Sequence, residues 1–158
     1  MLTVGGLRCE GIENPLGVDA DQPRLGWRLS SDERGDAQTA YQVLAASSAA
    51  LLAQDRADCW DSGKVVSGQS RHVVYLGRPP SSSQQVFWKV RAWDARGAVS
   101  PWSAVASWTM GVLDTARGPG WQPGVSWISD AEMLKWERRE AGFSSRDTDR
   151  QDAVKWVQ

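Results

Sequence analysis

The segment 86–94 constrains the fold more than any other part of the sequence, because its side chains alternate in character at a period of two. Three apolar positions share one face: Trp88, Val90 and Ala92. Two cations and an indole share the other face: Lys89, Arg91 and Trp93. Alternation of this kind is typical of a β-strand that has one face in a hydrophobic core.

Similar short runs fill the first 114 residues, separated by turn signals such as Pro79-Pro80. Strands are predicted at residues 6–10, 24–30, 39–45, 60–63, 71–76, 86–94 and 102–110, and a short helical turn at residues 47–54. The last run predicts one face made by Trp102, Ala104, Ala106, Trp108 and Met110. About seven strands at this spacing predict an all-β fold, a fibronectin type III or immunoglobulin-like β-sandwich over residues 1–114.

Charge and hydropathy exclude several classes of partner. The sequence has 18 Lys and Arg against 19 Asp and Glu, so its net charge is −1 and we expect no binding to nucleic acid or to an anionic membrane. No apolar run has the length of a transmembrane helix. The first residues lack the basic and apolar parts of a secretion signal, and the two cysteines, Cys9 and Cys59, form no C-x-x-C pair. We therefore expect a cytoplasmic protein with reduced cysteines.

Tryptophan is unusually abundant, with 10 residues against 2 Tyr and 2 Phe. An indole can fill a core or stack on a cation, and it can also stack on the apolar face of a sugar ring. The candidate binding surface is the polar face of the 86–94 strand, with Lys89, Arg91 and Trp93, which Arg24 and Arg28 of the second predicted strand could extend. We favour a structural ladder of cations and indoles there, and keep binding of a glycan or a protein as the alternative.

The sequence offers no recognisable set of catalytic, metal-binding or cofactor-binding residues. Its single histidine, His72, has no Ser or Cys partner in a recognisable pattern. Two close carboxylate pairs lie in turn regions, where Asp commonly caps the backbone: Asp19 with Asp21, and Asp58 with Asp61. The segment 147–152 is similar to the start of an EF-hand loop but has Asp where that loop requires Gly. We therefore predict no catalytic residue, no metal and no cofactor.

Several segments, taken in order, carry a family resemblance. The hairpin formed by 87–94, Gly97 and Ser100-Pro101-Trp102-Ser103 resembles the end of a fibronectin type III domain. Four further segments narrow the resemblance: 7–17, 23–27, 38–47 and 60–65. Together, across residues 5–113, they resemble the N-terminal fibronectin-like domain of bacterial α-L-rhamnosidases, which are inverting glycoside hydrolases with an (α/α)6 barrel.

The resemblance implies that this chain is a non-catalytic accessory domain. The parent enzyme would remove terminal α-L-rhamnose from glycosides with inversion, using two carboxyl groups in its downstream barrel. No residue here inherits those roles, and this chain alone should be inactive. The implied partners are the downstream domains of the same parent and, through the parent, a rhamnose-containing glycan. The alternative is a free-standing β-sandwich that binds a glycan or a protein through its Trp/Arg face.

The remaining residues are predicted to form a linker and a partial second segment. The stretch 121–128 is similar to the strand that opens a lectin-like domain in the same family, so residues 115–128 are interpreted as a linker and that first strand. Residues 129–158 form a charged tail, in which residues 133–141 could form a short helix.

Overall fold

The computed structural model describes residues 1–113, which form eight strands and one short helix. The elements are β1 (Leu2–Cys9), β2 (Arg24–Ser31), β3 (Ala40–Ala46), α1 (Ala49–Ala53), β4 (Trp60–Asp61), β5 (Val65–Val66), β6 (Val73–Val74), β7 (Gln85–Trp93) and β8 (Ala106–Thr109). The predicted linker at 115–128, the opening strand at 121–128, the helix at 133–141 and the EF-hand-like segment at 147–152 lie outside the described residues.

The strands form two antiparallel sheets, as predicted for a sandwich. One sheet has the order β1-β2-β6, and the other has the order β4-β3-β7-β8, with β5 also paired to β3. Strand β7 is the centre of the larger sheet, because it pairs with β3 along residues 87–93 and with β8 along residues 85–88. The all-β, immunoglobulin-like prediction is therefore confirmed.

Alternating side chains put one face of each long strand into the core between the sheets. Trp88, Val90 and Ala92 of β7 are completely buried, and Leu25 and Trp27 of β2 are buried opposite them. Aromatic rings meet edge to face inside this core: Trp60 with Tyr75, Tyr75 with Trp108, and Trp88 with Trp108. For Trp27, Trp88 and Trp108, core packing is thus the explanation of the indole.

Strand β1 begins earlier than predicted, at Leu2 instead of residue 6. The glycine pair Gly5-Gly6 indicates a turn in sequence, but the end of β2 pairs with residues 2–5 and extends the strand. The register then shifts between Gly5 and Arg8, where Gly6 has a φ of 57°. A bulge at glycine allows the strand to continue beyond the irregularity.

The predicted last strand, 102–110, is wrong in its first half. Only residues 106–109 form β8, and Ala104 is exposed instead of facing the core. Residues 100–103 instead lie along β7, where the Ser100 hydroxyl accepts from the amide of Ala92 at 3.0 Å and the Ser103 hydroxyl accepts from that of Val90 at 3.1 Å. Pro101 has no N–H to give to a ladder, so the serine side chains take the place of a strand.

The short helical turn predicted at 47–54 is confirmed as α1. The hydroxyl of Ser48 caps its first turn by accepting from the amide of Leu51 at 3.4 Å. Leu52 of α1 packs with Leu44 and Ala46 of β3 in a second, smaller apolar cluster on the outer face of the larger sheet. Trp102 packs against this outer cluster, not against the main core as the sequence predicted.

No helix within residues 1–113 has the length and apolar character to cross a membrane.

Candidate functional site

A ladder of alternating cations and indoles covers the outer face of β7. Trp93 has Lys64 Nζ at 4.7 Å and Arg91 Cζ at 5.3 Å from its ring centroid. Trp102 has Arg91 Cζ at 4.6 Å and Lys89 Nζ at 4.8 Å from its own centroid. The order along the face is therefore Lys64, Trp93, Arg91, Trp102 and Lys89. We call this set the cation–indole ladder.

The three predicted residues of this face do lie together, as the alternation along β7 requires. Arg91 is held between the two indoles by Gln42 of β3, whose Oε1 accepts from Arg91 Nη2 at 2.7 Å and from Nε at 3.0 Å. Because each indole already stacks with two cations of the same chain, the geometry favours the structural interpretation over a free sugar-stacking surface. Glycan binding at Trp93 stays a prediction.

Lys89 is buried, although the sequence places it on the exposed polar face of β7. Its side chain is only 7% exposed, and its ammonium donates to the Leu52 carbonyl of α1 and to the carboxylate of Asp55. The hydrogen bond from Lys89 lowers the pKa of Asp55 below the usual value for an Asp. Lys89 therefore fastens α1 to β7, and it offers little surface to a ligand.

Arg24 and Arg28 do not extend the ladder, contrary to the sequence-based suggestion. They belong to β2, in the other sheet, and they point outward because Leu25 and Trp27 point into the core. The two arginines and the ladder therefore lie on the opposite outer faces of the sandwich. The sequence shows that both strands have a basic face, but it does not show in which sheet each strand lies.

One of the two carboxylate pairs singled out in the sequence, Asp58 with Asp61, has structural partners. Asp58 accepts from the Ser47 hydroxyl at 2.6 Å and from the Ser47 amide at 2.8 Å, and these bonds lower the pKa of its carboxyl. Asp61 accepts from Gln42 Nε2 and from the Gly63 amide. His72 is exposed, with a φ of 54°, on the segment that enters β6. Within residues 1–113, no group of His, Cys, Asp and Glu has the arrangement of a metal site.

A buried polar network, which the sequence analysis did not identify, joins β2 to the segment before β3 and to the segment after β5. Gln38 is 6% exposed, and its Oε1 accepts from the indole N–H of Trp27 at 2.9 Å. Its Nε2 donates to the carbonyls of Ser67 at 3.0 Å and Gln69 at 2.8 Å. This one amide thus places the segment 67–69 against β2, and no local sequence signal indicates that a glutamine has this role.

An apolar groove, which the sequence analysis did not identify, lies between β6 at the edge of the smaller sheet and β4 and β5 at the edge of the larger sheet. It has a volume of about 370 Å³ and is lined in part by Trp60, Val65, Val74 and Leu76. Within residues 1–113, both sheets have edge strands here, because β6 pairs only with β2, and β4 and β5 pair only with β3. Leu76 is 66% exposed. Exposed apolar side chains beside open strand edges are typical of a surface that another domain covers.

Comparison with known proteins identifies the family of this sandwich. A sequence family described as the Rha78A-like, N-terminal immunoglobulin domain matches residues 4–114, which is more than half of the chain. The chain belongs to this family. The description as an immunoglobulin domain means that the fibronectin type III label fits the sandwich only loosely.

The similar proteins are much longer enzymes. An α-L-rhamnosidase of Streptomyces avermitilis is 46% identical over 128 residues, which is 81% of this chain and 12% of that protein. An α-L-rhamnosidase of Formosa agariphila is 40% identical over 107 residues, 68% of this chain and 11% of that protein. The crystal structure of the Streptomyces avermitilis enzyme complexed with L-rhamnose superposes with a TM-score of 0.73 and 42% identity, covering 85% of this chain and 12% of that one. This chain therefore spans about an eighth of the length of its relatives, and it corresponds to their N-terminal domain.

Proposed function

We propose that this chain is the non-catalytic accessory domain of an α-L-rhamnosidase, and that it serves as a docking scaffold for the downstream domains of that enzyme. The observation that carries the proposal is the match of the whole sandwich to the N-terminal immunoglobulin domain of this family. The parent would hydrolyse terminal α-L-rhamnose with inversion, through carboxyl groups outside this chain. The structural roles of Asp58 and Asp61 support the expectation that residues 1–113 supply no catalytic pair.

The apolar groove is our proposed contact with a downstream domain. Its exposed side chains, Val74 and Leu76, lie between the edges of the two sheets. Most of the length of the relatives lies outside the region that this chain matches. We therefore propose another domain of the same parent chain as the partner that covers the groove. Burial of a leucine side chain contributes about 1.5–3 kcal/mol, so covering this groove would stabilise the interface appreciably.

We also propose a cytoplasmic location for the parent. Cys9 and Cys59 are both free thiols in the described residues, and unpaired cysteines are usual in reducing compartments. The implied glycan partner belongs to the proposal as well, because it would bind to the parent's catalytic region and not to this domain.

A domain exchange tests the proposal. This chain replaces the matching N-terminal region of the Streptomyces avermitilis enzyme, and hydrolysis of an aryl α-L-rhamnoside and the rate of thermal inactivation are measured. We expect the chimera to be active, a version without any N-terminal domain to inactivate faster, and residues 1–158 alone to release no rhamnose.

A groove variant then tests the docking surface. Leu76→Asp should speed the thermal inactivation of the chimera severalfold while leaving the stability of the isolated chain within about 0.5 kcal/mol, since Leu76 is exposed there. Val99→Asp, at an exposed apolar residue outside the groove, is the matched control. It should leave the inactivation rate of the chimera and the stability of the isolated chain unchanged. Rhamnose release by the chain alone would contradict the accessory role, and an unaffected Leu76→Asp chimera would contradict docking at the groove.

A further inference from the structure

A second cleft, rich in arginine, lies on the outer face of the three-stranded sheet and has a volume of about 270 Å³. Its basic lining residues are Arg8, Arg24, Arg28, Arg71 and His72. Strands β1 and β2 supply the first three, and the segment entering β6 supplies the other two. The whole chain has a net charge of −1, so the positive charge on this face is a local concentration.

Two of the four arginines are already paired with glutamates: Arg24 with Glu10 at 2.7 Å and Arg8 with Glu13 at 3.3 Å. Arg28 and Arg71 form no ion pair within residues 1–113. The hydrogen bond from Arg24 lowers the pKa of Glu10. The cleft thus already pairs two arginines with carboxylates of the chain itself, and it keeps two further guanidinium groups available.

Gly26 lies between the two outward arginines of β2 and leaves the floor of the cleft open. Its φ is not in the left-handed region, so the backbone does not require a glycine there. A Cβ at this position would meet only Ser70 O at 3.5 Å and Arg71 Cα at 3.7 Å, which are ordinary contacts. Glycine inside a strand is destabilising by about 0.5–1 kcal/mol relative to alanine. Neither backbone geometry nor packing accounts for glycine at this position, whereas an open floor between Arg24 and Arg28 does.

We propose that this cleft binds a small carboxylate ligand, held by Arg28 and Arg71 above the floor at Gly26. A planar guanidinium matches the two oxygens of a carboxylate, and such charge-assisted bonds are stronger than neutral ones. The volume is near the lower end of the range for small-molecule pockets, and it suits a ligand of about the size of one or two sugar rings or one amino acid. The carboxylate could belong to an acidic sugar or to an acidic side chain of a peptide. The proposal is independent of the accessory role.

The test is a titration of the full chain at low ionic strength, followed by NMR shifts of backbone amides and of the arginine Nε–H groups. The probes are methyl glucuronide and N-acetylglutamate amide, with methyl glucoside and N-acetylglutamine amide as their neutral counterparts. We expect saturable shifts at Gly26 and at Arg28 and Arg71 with at least one acidic probe, and none with the neutral ones. The tighter acidic probe identifies the source of the carboxylate.

Three variants locate the site. Arg28→Gln and Arg71→Gln should each weaken binding about tenfold, because each removes a charge-assisted contact. Gly26→Val should abolish binding by filling the floor, while thermal unfolding verifies that the sandwich is intact. Arg56→Gln is the matched control, since it removes an exposed arginine elsewhere on the surface. Equal shifts with acidic and neutral probes, no binding at all, or affinity unchanged by Gly26→Val and Arg71→Gln would each overturn the proposal.

Discussion

The amide of Gln38 should be among the most costly polar groups to remove from this domain. Substitution Gln38→Ala leaves the indole N–H of Trp27 without an acceptor inside the protein, and it frees the carbonyls of Ser67 and Gln69. An unsatisfied buried donor costs about 1–3 kcal/mol. The two carbonyls lie near solvent and recover part of their hydrogen bonding from water. The expected loss of unfolding free energy is therefore about 2–4 kcal/mol.

Urea denaturation followed by circular dichroism measures this loss. With a slope of about 2 kcal/mol per molar urea, the midpoint should fall by about 1–2 M. Gln85→Ala is the matched control, because Gln85 is exposed and forms one long side-chain bond of 3.4 Å to Ser107. Its cost should stay within about 0.5 kcal/mol.

A double-mutant cycle with Trp27→Phe separates the orphaned donor from the loss of packing. Phenylalanine has no N–H, so Gln38→Ala should cost about 1–2 kcal/mol less in that background. A cost for Gln38→Ala below about 0.5 kcal/mol, or strictly additive single changes, would refute the argument that this hydrogen bond is a main stabiliser of the segment 67–69.

Two further predictions follow from burial and from hydrogen bonding. Cys9 is 1% exposed, and burial raises the pKa of its thiol to about 12; burial also raises the pKa of the Cys59 thiol. Neither cysteine should therefore react with an aromatic disulfide reagent at about pH 8 until denaturant is added. Rapid labelling of the native chain would contradict this. The bonds from Ser47 lower the pKa of Asp58 in the folded state, so their contribution is present above the unfolded value of about 3.9 and is lost as the pH falls through the lower folded pKa. Chemical denaturation between about pH 2.5 and 6 should therefore show a smaller acid-dependent loss of stability in Asp58→Asn than in the unchanged chain. Identical pH dependence of the two would contradict a lowered pKa of Asp58 in the folded state.

The sequence predicts best the strands whose two faces differ. Along β2 and β7, every second side chain is apolar and faces the core, and the basic residues all lie at the positions between, so bounds and inner faces agree with the structure to within about a residue. The helical turn α1 was predictable from its Ala/Leu composition, and Ser48 provides its cap. For these elements local pattern and tertiary environment specify the same structure.

Features that depend on distant pairing could not be predicted in this way. The first residues of β1 become a strand only because the end of β2 extends beside them. Trp102 lies at a spacing that suggests the core, yet the bonds of Ser100 and Ser103 to β7 turn the segment and place it on the outer face.

The candidate site was predictable only where one strand supplied it. Lys89, Arg91 and Trp93 share a face of β7, but Lys64 and Trp102 join the ladder from other segments. The burial of Lys89 depends on the position of α1, which no pattern in β7 reveals. The arginine cleft likewise requires β1, β2 and the segment 70–72 to meet, and this is a property of the sheet order.

The serine-lined segment beside β7 also affects how the protein behaves among its own copies. The pairing of β7 with β8 stops at residue 88. Beyond it, β7 would present unpaired amides to another protein molecule, and such edges initiate β-sheet aggregation. The hydroxyls of Ser100 and Ser103 occupy those amides, and their own backbone N–H groups bond back to the carbonyls of Ala92 and Val90. Pro101 in between has no amide hydrogen to offer a new strand. The central strand of the larger sheet is thereby protected from intermolecular pairing along this edge, which favours solubility when the protein is concentrated.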